Sequence, residues 1–139
     1  MVIVMKVKEI LELEEFDLIT DKFELNNEVN GMFASDLLSH VMGNASIGDL
    51  LITVLNNINV LGVASLLDLS CVIFSSGIKV NDEIIIKANE LEIPLIRTKL
   101  TTVAIILALD KVGLKDKTLL WPSYALNTIT LCWRIDDTK

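Results

Sequence analysis

A chain of 139 residues, 52% of them hydrophobic, supplies one ordinary core and not two. Its net charge of -7, with 12 basic residues scattered along the chain, excludes the clustered Lys and Arg that displace counterions from a nucleic acid. The longest apolar runs, such as residues 103–109, fall far short of the roughly 20 residues that span a bilayer, so the apolar excess is assigned to a core and an oligomer interface.

The amino terminus, MVIVMKVKEI, reads as no secretory signal, since it lacks a small-residue cleavage site, and the chain is expected in the cytoplasm. Cys71 and Cys132 stand in unrelated contexts and are read as buried thiols rather than a disulfide. Neither has a neighbouring Cys or His, and His40 is the only histidine, so no metal and no cofactor are expected.

In chain order, the spacing of Val7, Ile10, Leu11 and Leu13 predicts an opening helix over 6–15, followed by a small strand over 16–20 and a polar loop over 21–30. Gly31 reads as a turn, and residues 32–34 as a short strand. Ser35 or Asp36 is placed to cap a helix that buries Leu37, Leu38, Val41 and Met42 and ends at Gly43 and Asn44, which tolerate positive φ. The continuous apolar run 50–55 is the mark of a strand covered on both faces, as in a parallel sheet. Residues 58–69 read as a helix lying close against the sheet or a partner, with Gly62, Ala64 and Ser65 keeping one side thin. A strand over 71–74 and a turn at 75–77 come next, then a helix capped by Asn81 with Asp82 and Glu83 in its first turn. A strand over 94–97, a cap at Thr98 and an apolar helix over 100–112 close the pattern before Gly113.

Strands alternating with helices through short connections predict an α/β sandwich: a mostly parallel central sheet, built by right-handed crossovers and flanked by helices. In such sheets ligands sit beyond the carboxyl ends of the strands, where loops and helix amino termini present unpaired N–H groups. The residues falling there are Thr53, Asn56, Asn57 and Asn59 after one strand, Ser75, Ser76 and Gly77 after the next, and Thr98 after the last. These eight are the candidate ligand-binding residues. Each has a plainer role as well, because asparagines after a strand cap helices and Ser-Ser-Gly makes turns. Asp36 and Asp49 are explained by helix capping and strand entry, and His40 by an exposed helix position. No phosphate-cradling G-x-x-x-x-G-K-[ST], no dinucleotide G-x-G-x-x-G and no G-x-S-x-G nucleophile elbow occurs, so the chain is read as a non-enzyme with no catalytic residues.

The runs SDLLS (35–39), VMGNA (41–45), GDLLIT (48–53) and NVLGVASLLDL (59–69), continuing through Ala88-Asn89-Glu90 and Ile93-Pro94-Leu95 to the helix after Thr98, resemble the DRTGG domain family. The resemblance covers roughly residues 6–113. Family members occur as free-standing proteins, beside CBS domains and in phosphotransacetylases, and are related to the amino-terminal domain of HPr kinase. The resemblance therefore implies an α/β fold, dimerisation and an accessory or regulatory role with no agreed ligand. It does not imply kinase activity, because the phosphate-binding loop belongs to a separate domain. The chain departs from the family at residues 26–32, where an Asp-Arg pair and a further glycine are missing. It departs again at Asn56-Asn57, which stand in place of a Gln-Thr-His-like turn.

One domain results, 1–113, DRTGG-like, followed by a C-terminal extension, 114–139, holding both tryptophans. Within the extension, residues 128–135 alternate as a half-buried strand does. The leading expectation is a homodimeric regulatory module that senses a small anionic or nucleotide-like molecule at the strand ends. The alternative is a protein-interaction adaptor, its partner protein meeting the small-residue helix and the carboxy-terminal strand.

Overall fold

The computed structural model describes residues 5–21 and 25–114. The elements are β1 (Met5–Lys6), α1 (Val7–Ile10), β2 (Asp17–Leu18), β3 (Glu28–Val29), β4 (Gly31–Ala34), α2 (Leu38–Asn44), β5 (Asp49–Thr53), α3 (Asn59–Leu67), β6 (Cys71–Phe74), α4 (Asp82–Leu91), β7 (Leu95–Arg97) and α5 (Thr102–Lys111). A five-stranded sheet runs β2-β7-β6-β5-β4, and β1 pairs with β3 in a separate two-stranded ribbon. Strands β4 to β7 are mutually parallel and adjacent in chain order, while β2 closes one edge antiparallel to β7. The α/β sandwich with a mostly parallel sheet is as the sequence predicts.

All five residues of β5 and all four of β6 are buried, because helices cover both faces of the sheet. Alternate side chains divide between two cores. Leu51, Val72, Phe74 and Leu95 pack with Val41 of α2, Val60, Leu61 and Ala64 of α3, and Ile84 and Ala88 of α4. Leu50, Ile52, Cys71, Ile73 and Ile96 pack with Ile10 of α1, Ile105 and Leu109 of α5, and Val29 of the ribbon. A continuous apolar run in the sequence is thus two interleaved period-2 patterns.

Local departures from the expected elements each have a competing bond. The opening helix is only Val7–Ile10: Met5 and Lys6 pair with Val29 and Glu28, and at the other end Glu12 N and Leu13 N turn back to Glu9 O and Ile10 O. That pairing also draws part of the expected 21–30 loop into β3, and Gly31 begins β4 in register with Asp49 rather than making a turn. Neither Ser35 nor Asp36 caps α2. Asp36 Oδ1 accepts from both Thr53 Oγ1 and Val54 N at 2.8 Å, at the end of β5, and Ser35 Oγ accepts from Leu37 N. The helix therefore starts at Leu38 and turns Leu38, Val41 and Ala45 inward. Leu37 and Met42, expected in the core, are exposed. Helix α2 closes on Ala45 in an extended conformation, so Gly43 and Asn44 need no positive φ. Thr101, not Thr98, caps α5 by accepting from Ala104 N. Asn81 caps α4 as expected, accepting from Ile84 N. Gly62 and Ser65 of α3 face outward, and Ala64 alone of the three small residues faces the sheet.

Residues 115–139, with Cys132, both tryptophans and the alternating 128–135 segment, lie outside the described residues. Leu114 is buried in the second core. Cys71 is a buried free thiol, pushed up from 9.0 to about 12 by burial, with a hydrogen bond to the Ser70 hydroxyl acting in the opposite sense.

Removing the Asp36 carboxylate leaves the buried Thr53 hydroxyl and the Val54 amide without their acceptor, so Asp36→Ala lowers stability by about 1–3 kcal/mol. Urea titration reads this as a lower midpoint at unchanged slope. A second outcome concerns Cys71. Between pH 9.0 and about 12 the unfolded chain loses a thiol proton that the fold retains, so stability falls as pH rises across that window. Below pH 9.0 wild type exceeds Cys71→Ala by a constant margin. Denaturation at stepped pH shows the margin shrinking above it.

Candidate functional site

Parallel pairing of β4 to β7 sends their carboxyl ends to one edge of the sheet. All eight candidate residues fall on it or in the loops just beyond it. Backbone bonds knit the loops together: Ser75 N donates to Thr53 O at 3.1 Å, Thr98 N to Phe74 O at 3.1 Å, and Gly77 N to Thr98 O at 2.8 Å. The side-chain amide of Asn56 donates to Lys79 O at 2.7 Å and ties the first loop to the second.

Within this edge the candidates separate into two groups. Thr53, Ser75 and Thr98 are buried, and their hydroxyls are committed. Thr53 Oγ1 donates to Asp36 and accepts from Leu55 N, Thr98 Oγ1 accepts from Leu100 N, and Ser75 Oγ shares a hydrogen bond with Thr102 Oγ1. Asn56, Asn57, Asn59 and Ser76 are exposed. Asn57 Oδ1 accepts from Asn59 N, the Asx turn that leads into α3. Ser76 and Gly77 both have positive φ, of 63° and 66°. For Gly77 that backbone, not crowding, explains the missing side chain, because an added Cβ would meet Lys99 Cγ at an ordinary 3.7 Å.

The expectation of unpaired amides is corrected at these positions. Ser76 N and Gly77 N donate into the 98–100 loop, and Val54 N and Leu55 N are held by side chains. An amide cradle for phosphate is not formed by them. Lys79, Arg97 and Lys99 are exposed on the same edge, beside the carboxylates of Asp36, Asp82 and Glu83, so an anion would be met by cations and by the exposed Asn and Ser side chains but not by a uniformly positive surface. None of these three cations was among the eight sequence candidates. Arg97 was legible as the last, polar residue of a buried strand.

The opposite, amino-terminal edge carries a cleft of about 420 Å³ that sequence reasoning missed. Its lining includes Glu28, Asn30, Asp68, Ser70 and Glu92. Helices α3 and α4 both end there, at Asp68 (φ 56°, ψ 49°) and Glu92 (φ 56°, ψ 45°) in the left-handed region. Gly48 enters β5 at φ 84°, with the Asn30 amide packed where its Cβ would stand and donating to Ile47 O at 3.1 Å. The legible signal was a carboxylate directly after each helix, in the position usually taken by Gly. Among the described residues, no group of three His, Cys, Asp or Glu side chains is placed to hold a metal ion, and no helix is long and apolar enough to cross a membrane.

Residues 17–112 match the DRTGG domain. Among solved structures, the chain is similar to the CBS and DRTGG domains of the regulatory region of a Clostridium perfringens pyrophosphatase, crystallised with the activator diadenosine tetraphosphate. The TM-score is 0.60 at 19% sequence identity, covering 72% of this chain and 44% of that one, so this chain spans less than half of the structure it resembles. No curated protein matches in sequence. The structural likeness shows the fold. The match over residues 17–112, lying within the stretch whose motifs carry the resemblance, places the chain in the DRTGG domain family.

Proposed function

We propose that the chain is a non-catalytic regulatory module that senses a small anionic or nucleotide-like ligand at the carboxyl edge of its sheet and acts as a homodimer. The observation that carries this is the joining of three loops at that edge. Asn56 is bonded to Lys79 O, Gly77 N to Thr98 O, and exposed Lys79, Arg97 and Lys99 surround the junction. An anion bridging two of these loops stiffens a junction from which α3, α4 and α5 all start. Binding at the edge is thereby felt at the outer helix faces, where a partner would sit. The regulatory context of the pyrophosphatase region, bound to a nucleotide activator, supports the same direction. The ligand is proposed to touch Asn57, Asn59, Ser76 and the three cations. Thr53, Ser75, Gly77 and Thr98 hold the loops in place behind them.

A second reading, a protein-interaction adaptor, is favoured by one face of α3. Gly62 and Ser65 are exposed beside Leu66, which is 69% exposed. Small residues beside an unpartnered leucine allow close approach of another surface.

Thermal unfolding with AMP, ATP, diadenosine tetraphosphate and inorganic phosphate tests the sensor. A ligand at about 100 times its Kd adds about 2.7 kcal/mol by mass action and raises Tm by several degrees. Lys99→Ala weakens that ligand a few-fold, in line with an exposed charge contact worth up to about 1 kcal/mol. A Tm unmoved by the whole panel overturns the sensor. Light scattering tests the adaptor and the dimer together: wild type is expected as a dimer and Leu66→Glu as a monomer if α3 is the contact. A dimer unaffected by Leu66→Glu removes α3 from the interface, and a monomeric wild type removes the dimer.

A further inference from the structure

The two outer strands of the five-stranded sheet are finished differently. Strand β2 is only two residues long and carries Asp17, and a short, charged strand resists pairing with another chain. Strand β4, Gly-Met-Phe-Ala, has four residues with no charge and no proline, and among the described residues no strand pairs with its outer side. The connection from β4 to β5 adds exposed Leu37, Met42 and Ile47. We infer that the open side of β4 is the seat of a sixth strand supplied by the same chain, residues 128–135, which runs parallel to β4 and closes the sheet.

Connection handedness selects this place. Helices α2, α3 and α4 join β4, β5, β6 and β7 in steps that all go one way across the sheet, and all three lie against one core. Helix α5 leaves β7 onto the opposite face, where Ile105 and Leu109 pack with Ile52, Ile73 and Ile96. A right-handed crossover on that face must step the other way, back toward β4. Positions beside β5, β6 and β7 are filled, so the first one open to a returning parallel strand is outside β4. The end of α5 turns the chain back onto the sheet: Gly113 takes φ 113°, Leu114 N donates to Leu109 O at 3.0 Å, and Leu114 is buried in the same core. That end lies at the amino edge, where a strand parallel to β4 must begin. Residues 115–127 reach roughly 45 Å when extended, against about 20 Å for four strand spacings. The chemistry of 128–135 suits an outermost position. Ile129, Leu131, Trp133 and Ile135 alternate with Thr128, Thr130, Cys132 and Arg134, one apolar set and one polar set, whereas the inner strands β5 and β6 are buried throughout. Arg134, with Asp136 and Asp137 close after it, places charge on the new edge and discourages further pairing.

Disulfide trapping in the full chain tests the pairing, with Cys71→Ala leaving Cys132 as the sole native thiol. A bridge needs Cα atoms about 4.4–6.8 Å apart, a range that includes the spacing of neighbouring strands. Met32→Cys, Phe33→Cys and Ala34→Cys sample β4 in turn, and Leu107→Cys samples the exposed face of α5. The expected result is a bridge from Cys132 to a β4 position within one chain, read as monomer mass with altered mobility before reduction. A bridge to position 107 in place of β4, a bridge found only between two chains, or no bridge at any position overturns the inference. Hydrogen exchange on the unaltered chain gives an answer that needs no variant to fold. Amides of 128–135 are expected to exchange at least tenfold more slowly than in an unstructured peptide, and wild-type exchange at the unstructured rate overturns the inference as well. Leu131→Asp is expected to speed exchange in both 128–135 and β4, while slow exchange in β6 shows that the domain remains folded. Release of 128–135 with β4 unchanged removes β4 as its seat.

Discussion

Burial of β5 and β6 on both faces is the constraint from which the rest of the structure follows. Their backbone groups can be satisfied only by the strands beside them, and their side chains only by helices above and below. That requirement uses all five residues of β5 and all four of β6 for packing. The faces of the sheet are then closed to ligands, and polar chemistry is pushed to the two edges where strands begin and end. Asp36 shows how tightly this is drawn. Its carboxylate leaves the helix it was placed to cap and closes the end of β5 instead, and α2 starts later as a result.

Parallel connection also fixes the electrostatic character of those edges. Each crossover helix runs back against the strands it joins, so helix amino ends gather at the carboxyl edge and helix carboxyl ends at the amino edge. Side-chain charges are mixed at the carboxyl edge, where Lys79, Arg97 and Lys99 stand with Asp36, Asp82 and Glu83, while Glu28, Asp68 and Glu92 line the cleft at the other.

The sheet was legible wherever continuous apolarity met turn residues, as at 71–74 and at 50–55, although β5 itself is Asp49–Thr53. Asn81 was legible as a cap because its bond is local, from Ile84 N three residues on. What could not be read was competition between distant groups. Ser35 and Asp36 have the right chemistry for a cap, but the choice depends on Thr53, far along the chain. Lys6 looks helical until Glu28 is seen to pair with it. Of the candidate site, convergence on one edge was legible from topology. The engagement of its amides was not, since Ser76 N and Gly77 N find their acceptors in the 98–100 loop, which nothing in the local turn sequence announces. The amino-edge cleft escaped for the same reason, as its walls come from the ends of elements that lie far apart in the chain.

The left-handed caps bear on the stability of the domain. Glycine at position 68 or 92 would relieve a backbone cost of about 1–2 kcal/mol per residue, a sizeable fraction of the 5–15 kcal/mol that keeps an ordinary domain folded. Asp at such a position has partial relief, since a short polar side chain tolerates the left-handed region better than most. Glu92 has none of that advantage, and its amide bond to Asn89 O is one that glycine would make equally well. The carboxylate at 92 is thus unexplained by the helix it terminates.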